Sequence, residues 1–253
     1  MTEAVERVVA YLYDQYDQPI SLADMADVAF LSRFHFARTF REVTGVSPGR
    51  FLSAVRLHRA KGLLLSTSHT VTDISHMVGY NSLGTFTSRF TRSVGLTPLQ
   101  FRLLAEADMT KAPNDVERDE RSPTGSLAGW LSLPNDDGPG MRLYLGAFDN
   151  PIVQRLPVSC AILEDRTSFQ LDGVPEGEWY VAAAAVDLSD PPVNKHGARV
   201  ARLVAREGPV KIVGAQTTML DLKMRTARPT DPPMLLALPG LAGCGAKAVV
   251  TIA

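Results

Sequence analysis

The stretch FREVTGVSPGRF, residues 40 to 51, falls on FTRSVGLTPLQF, residues 90 to 101, when the chain is laid against itself with a shift of fifty. Phe40, Gly45, Ser47, Pro48 and Phe51 meet Phe90, Gly95, Thr97, Pro98 and Phe101, and the register continues upstream, where Phe36 meets Phe86 and Ser32 meets Ser82. A chain with such a repeat has to build one supersecondary unit twice and then hold the two copies apart.

Within the first copy, Ser21 followed three residues later by Asp24 is a capping-box start, and a short helix follows with Leu22, Met25 and Ala26 on one side. The residues FLS interrupt it. Ser32 then caps a second helix, RFHFARTFREVT, in which Phe36, Phe40 and Val43 share one buried stripe and Gly45 ends the helix. The second copy repeats the plan with Thr70 and Asp73 as start, GYN as turn, Ser82 as cap, Phe86 and Phe90 as stripe and Gly95 as stop. Ser47-Pro48 and Thr97-Pro98 each open a further helix, with the hydroxyl at the N-cap and proline at the first helical position. Each copy is therefore a helix-turn-helix. Between them, Pro48 to Ser66 has no internal breaker except Gly62 and is expected to be a connecting helix of roughly 27 Å at ~1.5 Å per residue. That approaches the ~34 Å between successive major-groove faces on one side of B-DNA, so one chain could present two readers to adjacent grooves.

At 253 residues the chain has room for two domains. The net charge of −1 hides an uneven distribution. Residues 1–105 carry 11 Lys and Arg against 8 Asp and Glu, whereas residues 106–123 carry 3 against 6. The predicted organisation is an all-α double helix-turn-helix domain at 1–105, an acidic linker at 106–124, and an all-β sandwich domain at 125–253. Cys160 and Cys244 stand far apart and are expected as two reduced, packed thiols. The 5 histidines include no HxxxH or HExxH pair, so no metal site and no cofactor is expected. No leader or membrane span is apparent, which makes the cytoplasm the expected location and a membrane role unexpected.

The pattern FxxxFxxxxGxSPxxFxxxxRLxxAKxLL, followed by VxxIxxxVGYxSxxTFxxRFxxxxGxTPxxFR, resembles the DNA-binding domain of the AraC/XylS family of transcriptional regulators over about residues 3 to 104. The resemblance implies a seven-helix, two-lobed domain, with recognition helices at 32–44 and 82–94. It carries the family's contact positions onto Phe34, Ala37 and Arg38, and implies double-stranded promoter or operator DNA as partner, with RNA polymerase as a further one.

Helical phase selects nearly the same side chains without the family. With Phe36 at 0° and 100° per residue, Phe34, Arg41 and Arg38 lie at about 160°, 140° and 200°, away from the core stripe. Arg38 can donate two hydrogen bonds to guanine O6 and N7, Phe34 can meet a thymine methyl, and Arg41 can reach a base or a phosphate. In the second helix the same arithmetic presents Gly84, Ser88 and Thr91, with Thr87 and Arg92 beside them. Short hydroxyls suit phosphates better than base edges, so the second lobe should read mainly backbone and shape. Arg56, Arg59, Lys61 and Arg89 are further candidate phosphate contacts.

From Leu127 onward, short apolar runs parted by turns read as seven to nine strands: MRLYLGAF, VSCAIL, SFQLDGV, EWYVAAAAVD, RVARLVA, VKIVG, TTMLDLKM, MLLAL and KAVVTI. VPEGEWYVAAAAVD resembles the hairpin of transthyretin-like and carboxypeptidase-regulatory-like β-sandwiches, with Pro175 and Gly177 as its turn. No GxSxG, phosphate loop or convergent set of acids is present, and an enzyme is not expected. A C-terminal role in sensing an unidentified small-molecule effector or in forming a homodimer is expected instead, with Trp130, Tyr144, Trp179 and Tyr180 as candidate pocket aromatics. The alternative is a helical part that serves only as scaffold, beside a β-domain that binds a protein or a saccharide.

Overall fold

The computed structural model describes residues 2–106, 123–134, 141–155, 157–164, 167–187 and 201–235. They fall into two compact units, one made of Met1–Asp108 with Arg228–Leu235, the other of Met109–Ala227 with Leu236–Ala253.

The first unit holds seven helices among its described residues: α1 (Thr2–Asp14), α2 (Leu22–Ala29), α3 (Arg33–Thr44), α4 (Pro48–Ser66), α5 (Val71–Met77), α6 (Leu83–Val94) and α7 (Pro98–Glu106). Their ends are set by chemistry visible in the chain. The Ser21 and Thr70 hydroxyls accept from the Asp24 and Asp73 amides, at 3.3 and 3.1 Å. The two carboxylates accept in return from the cap amides, at 2.8 and 3.2 Å. Hydrogen bonds to the carboxylates, at Asp73 first from the Thr70 hydroxyl at 2.7 Å and at Asp24 first from the Ser21 amide, hold both carboxyls below the usual aspartate range. Gly45 and Gly95 take left-handed backbone angles, φ 78° and 91°, and donate to the Arg41 and Thr91 carbonyls, closing α3 and α6.

The repeat is also visible in the packing. Phe36 meets Phe40 at 5.4 Å between ring centroids and Phe40 meets Phe51 at 5.5 Å, all three fully buried. In the second lobe Phe86 meets Phe90 at 5.6 Å and Phe90 meets Phe101 at 5.7 Å. Two arginines bracket the lobes in parallel fashion. Arg56 of α4 donates to the Tyr16 and Gln18 carbonyls ahead of α2, at 2.6 and 2.7 Å. Arg102 of α7 donates to the Leu64 and His69 carbonyls ahead of α5, at 3.2 and 2.6 Å.

No pattern in the sequence announces the last part of this unit. Residues 228–235, RPTDPPML, lie far along the chain yet belong to the helical unit. Thr230, Pro232, Pro233 and Leu235 are buried. The Asp231 carboxylate accepts from the Arg228 amide at 2.8 Å and closes a turn, while the Met234 backbone is hydrogen-bonded to the ring of His58 on α4.

The second unit holds two sheets. In one, β1 (Thr124–Ser132) pairs antiparallel with β4 (Ser168–Pro175) and parallel with the short β7 (Thr217–Met219) and β8 (Leu222–Lys223). The other has the order β3 (Ser159–Glu164), β2 (Met141–Phe148), β5 (Gly177–Asp187), β6 (Leu203–Ile212), β9 (Arg225–Thr226). Leu127, Leu131 and Leu171 of the first sheet share one buried cluster with Leu143, Leu145, Val181, Ala183 and Leu203 of the second.

Several expectations change here. VPEGEWY is not a hairpin. It is a corner between sheets, since β4 pairs with β1 while β5 lies between β2 and β6, and the Trp179 indole N–H clasps the corner by donating to the Pro175 carbonyl at 2.7 Å. RVARLVA and VKIVG yield one strand, β6, because Gly208-Pro209 is taken up in a register shift opposite Trp179–Val181 rather than making a turn. TTMLDLKM breaks into β7 and β8. Strand β1, which the list of apolar runs misses, carries Gly129 where a Cβ would collide with the Leu220 backbone. The described part of MLLAL, Met234 and Leu235, forms no strand, and KAVVTI lies outside the described residues. Cys160 is disulfide-bonded, against the expectation of a reduced thiol, and Cys244 lies outside the described residues.

Candidate nucleic-acid interface

Helix α3 buries Phe36 and Phe40 completely and turns Phe34 outward, 83% exposed. Arg38 is also exposed, at 73% of its side chain, and Arg41 with it, whereas Ala37 is half-buried at the edge of this face. The amphipathic phase of the helix produces the arrangement, because residues two before and two after Phe36 lie nearly opposite it. On α6, Phe86 and Phe90 are buried, while Gly84, Ser88 and Arg92 are exposed and Thr87 and Thr91 half-buried. The two helices thus present unequal surfaces, one with an aromatic ring and two guanidinium groups, the other with a glycine, three hydroxyls and one guanidinium.

Two features of the α3 face escape sequence reading. The Arg38 Nε–H donates to Glu42 Oε1 at 2.9 Å, an ion pair one helical turn long. The bond engages the Nε–H, whereas the two terminal amino groups form the end edge of the planar fork, the edge suited to a planar acceptor pair. Glu42 could have been found from its i,i+4 spacing to Arg38. The second feature is Phe30, in the turn ahead of α3, which is 83% exposed with left-handed backbone, φ 57°. The Arg7 guanidinium lies 5.2 Å above its ring.

Not every basic candidate faces outward. Arg56 is committed to the carbonyls ahead of α2 and stacks on Tyr80 at 5.9 Å. Lys61, only 8% exposed, sits 5.7 Å from the centroid of Phe101, and burial pushes its ammonium down to about 8. Both sit on the inner side of α4, where nearly every turn is covered. Arg59 and Arg89 are exposed, Arg59 lying over Tyr13 and Tyr16 at 5.8 and 5.5 Å.

The four aromatics expected to line a pocket do not converge. Trp130 stands 58% exposed on β1. Trp179 packs against the shared core. Tyr144 and Tyr180 lie on the face of β2 and β5 turned from that core, four register positions apart. Among the described residues no group of three or more His, Cys, Asp or Glu could hold a metal ion, and no helix is long and apolar enough to cross a membrane.

Residues 25–103 match the family model described as a helix-turn-helix domain. Among curated relatives, the HTH-type transcriptional activator RhaS of Enterobacter sp. (strain 638) is 30% identical over 105 residues, 42% of this chain and 38% of that one. The lactose operon transcription activator of Staphylococcus xylosus is 28% identical over 40% of this chain and 37% of its own. The bifunctional transcriptional activator/DNA repair enzyme AdaA of Bacillus subtilis (strain 168) is 28% identical over 43% of this chain and 52% of its own. The chain therefore spans about half the length of this last relative and less of the other two. Of solved structures, the DNA-binding domain of AdpA in complex with a target DNA aligns with a TM-score of 0.40 and 26% identity, over 40% of this chain and 92% of that one. An AraC-type transcriptional regulator from Chromobacterium violaceum aligns with a TM-score of 0.40 and 26% identity, over 41% and 92%.

Proposed function

We propose that the protein, whose residues 25–103 match a helix-turn-helix domain, is a sequence-specific DNA-binding transcription regulator of AraC type whose α3 and α6 enter adjacent major grooves. The observation that carries this reading is the exposure of Phe34 and Arg38 on the side of α3 opposite two fully buried phenylalanines. A scaffold helix has no use for an exposed ring beside an exposed guanidinium. Arg38 is assigned to guanine O6 and N7, Phe34 to a thymine methyl, Arg41 to a base or a phosphate, and Ala37 to close approach at the groove edge. Gly84, Thr87, Ser88, Thr91 and Arg92 are assigned to phosphates and short contacts, so the second half-site is read mostly through DNA shape.

The relatives are mostly transcription regulators, and the repair activity in the name of AdaA is said of that protein. For the C-terminal unit, two sheets around one apolar core support a β-sandwich, and we infer for it the role of effector sensor or dimerisation module. RNA polymerase is a candidate partner at the promoter.

The test is binding of the full chain and of Arg38→Ala to a duplex selected from random-sequence DNA by the wild-type protein, and to its scrambled counterpart, at two salt concentrations. A specific complex that loses about 1–3 kcal/mol with Arg38→Ala, while scrambled-DNA binding persists, supports the reading. Equal, salt-sensitive binding to both DNAs, untouched by the substitution, would defeat it.

A further inference from the structure

The segment 228–235 stands apart from everything the repeat explains. The chain leaves the sheet unit after Ala227 and enters the helical unit for the eight residues Arg228–Leu235. Its seat is defined by α1 and α4. Leu235 is 1% exposed and Thr230 5% exposed, the two central prolines are buried, and the Met234 backbone bonds to the His58 ring. Tyr13, in the last turn of α1, has its hydroxyl pushed up chiefly by burial, pulled back by the Arg59 charge, and raised by the smaller effect of the Asp231 carboxylate. The adjacent prolines restrict the backbone before it docks, so little conformational freedom is lost on seating.

Tyr13 is also the first ring of a continuous series. Its edge meets Phe51 at 6.4 Å, Phe51 meets Phe40 at 5.5 Å, and Phe40 meets Phe36 at 5.4 Å. The last two rings are the buried stripe of α3. The Asp231 carboxylate of the segment thus acts through its charge on the first ring of a packed series that ends in the buried stripe of α3, while Phe34 and Arg38 stay exposed. The segment is placed to brace the reading helix, not to cover it.

We infer that residues 228–235 are an intramolecular strap that docks in the α1–α4 groove and holds α3 in its DNA-reading position, so that events in the sheet unit reach the readers by tightening or releasing it. This rests on the DNA-reading role proposed above. A covalent strap needs no interface between the units to transmit a change, since Arg228 follows directly on Ala227 of the sheet unit.

The experiment uses the full chain and two variants, Leu235→Asp, which places a charge in the buried seat, and Pro232→Gly with Pro233→Gly, which only loosens the strap. Hydrogen exchange is followed in Thr2–Asp14 and Pro48–Ser66, and affinity is measured for a duplex that the wild type has enriched from random-sequence DNA. Trp130 and Trp179, the only 2 tryptophans, both lie in the sheet unit, so their emission reports whether that unit stays folded. The expected result is faster exchange in both helices and binding weakened at least fivefold, with tryptophan emission unchanged. If Leu235→Asp shifts the emission, the double glycine variant decides. Exchange equal to wild type would overturn the docking, and faster exchange with unchanged affinity would overturn the bracing. A wild-type chain that enriches no duplex would defeat the DNA-reading premise, and the exchange data would still decide the docking on their own.

Discussion

Glu42 is the side chain on which the quality of base reading by Arg38 should turn. Its carboxylate fixes one edge of the guanidinium at 2.9 Å and also brings a negative charge towards the phosphates. Glu42→Ala should therefore strengthen binding to scrambled DNA and weaken discrimination, narrowing the ratio of specific to scrambled affinity by a factor of about two to ten in anisotropy titrations. Two glycines make a paired test of backbone strain. Gly45 and Gly79 both have left-handed angles, φ 78° and 79°, but a Cβ on Gly45 meets nothing within 4 Å, while one on Gly79 would lie 2.7 Å from the Asp17 carbonyl oxygen. Gly45→Ala should cost about 1 kcal/mol in chemical denaturation and Gly79→Ala distinctly more. The outward direction of Phe34 and Arg38 was legible because it follows from phase alone. The commitment of Arg56 was not, since only the folded loop ahead of α2 brings the Tyr16 and Gln18 carbonyls to it.

Elements bounded by strong local chemistry read directly from the chain. The expected bounds of α3 and α4 coincide with the observed helices because Ser32, Gly45 and Pro48 leave the backbone few alternatives. Strands with weaker punctuation misled. Gly208-Pro209 looks like a turn and sits inside β6, and Gly125 and Gly129 hide β1, whose glycines are there for close backbone approach. The duplicated ring packing predicts duplicated energetics. Phe40→Ala and Phe90→Ala remove fully buried rings at matching positions, and each should cost about 3–5 kcal/mol in denaturant unfolding. The capping carboxylates of α2 and α5 add a direction with pH. Asp24 and Asp73 titrate below the ordinary value, so their contribution is present at neutral pH and is lost as pH falls through their depressed range.

At the scale of the molecule, His58 ties helical-unit stability to pH. Burial first, then the Lys61 and Arg59 charges, push its ring down from 6.5 to about 4, while the Met234 bond pulls the other way. The unfolded chain takes up that proton near 6.5 and the folded one only near 4. Stability is therefore complete above that window and falls as pH drops through it, by on the order of 3 kcal/mol at most. His58→Gln should flatten the change between pH 7 and pH 5. A fragment ending at Asp108 lacks the strap and should be roughly 2–3 kcal/mol less stable than the same residues in the full chain, as read by denaturant unfolding of its helical signal. The double helix-turn-helix was legible because it is local and repeated. The strap was not, because RPTDPPML has no periodicity and its seat is built from residues more than two hundred positions earlier and from α4.

That return path also sets an order of events during synthesis. A ribosome releases the seven helices long before residues 228–235, so the α1–α4 groove must wait, unoccupied, while the whole of β1 to β9 is made. A nascent chain stalled before Arg228 should then show α1 and α4 amides exchanging faster than in the finished protein. The DNA reader would emerge ahead of the sheet unit and be completed only after it.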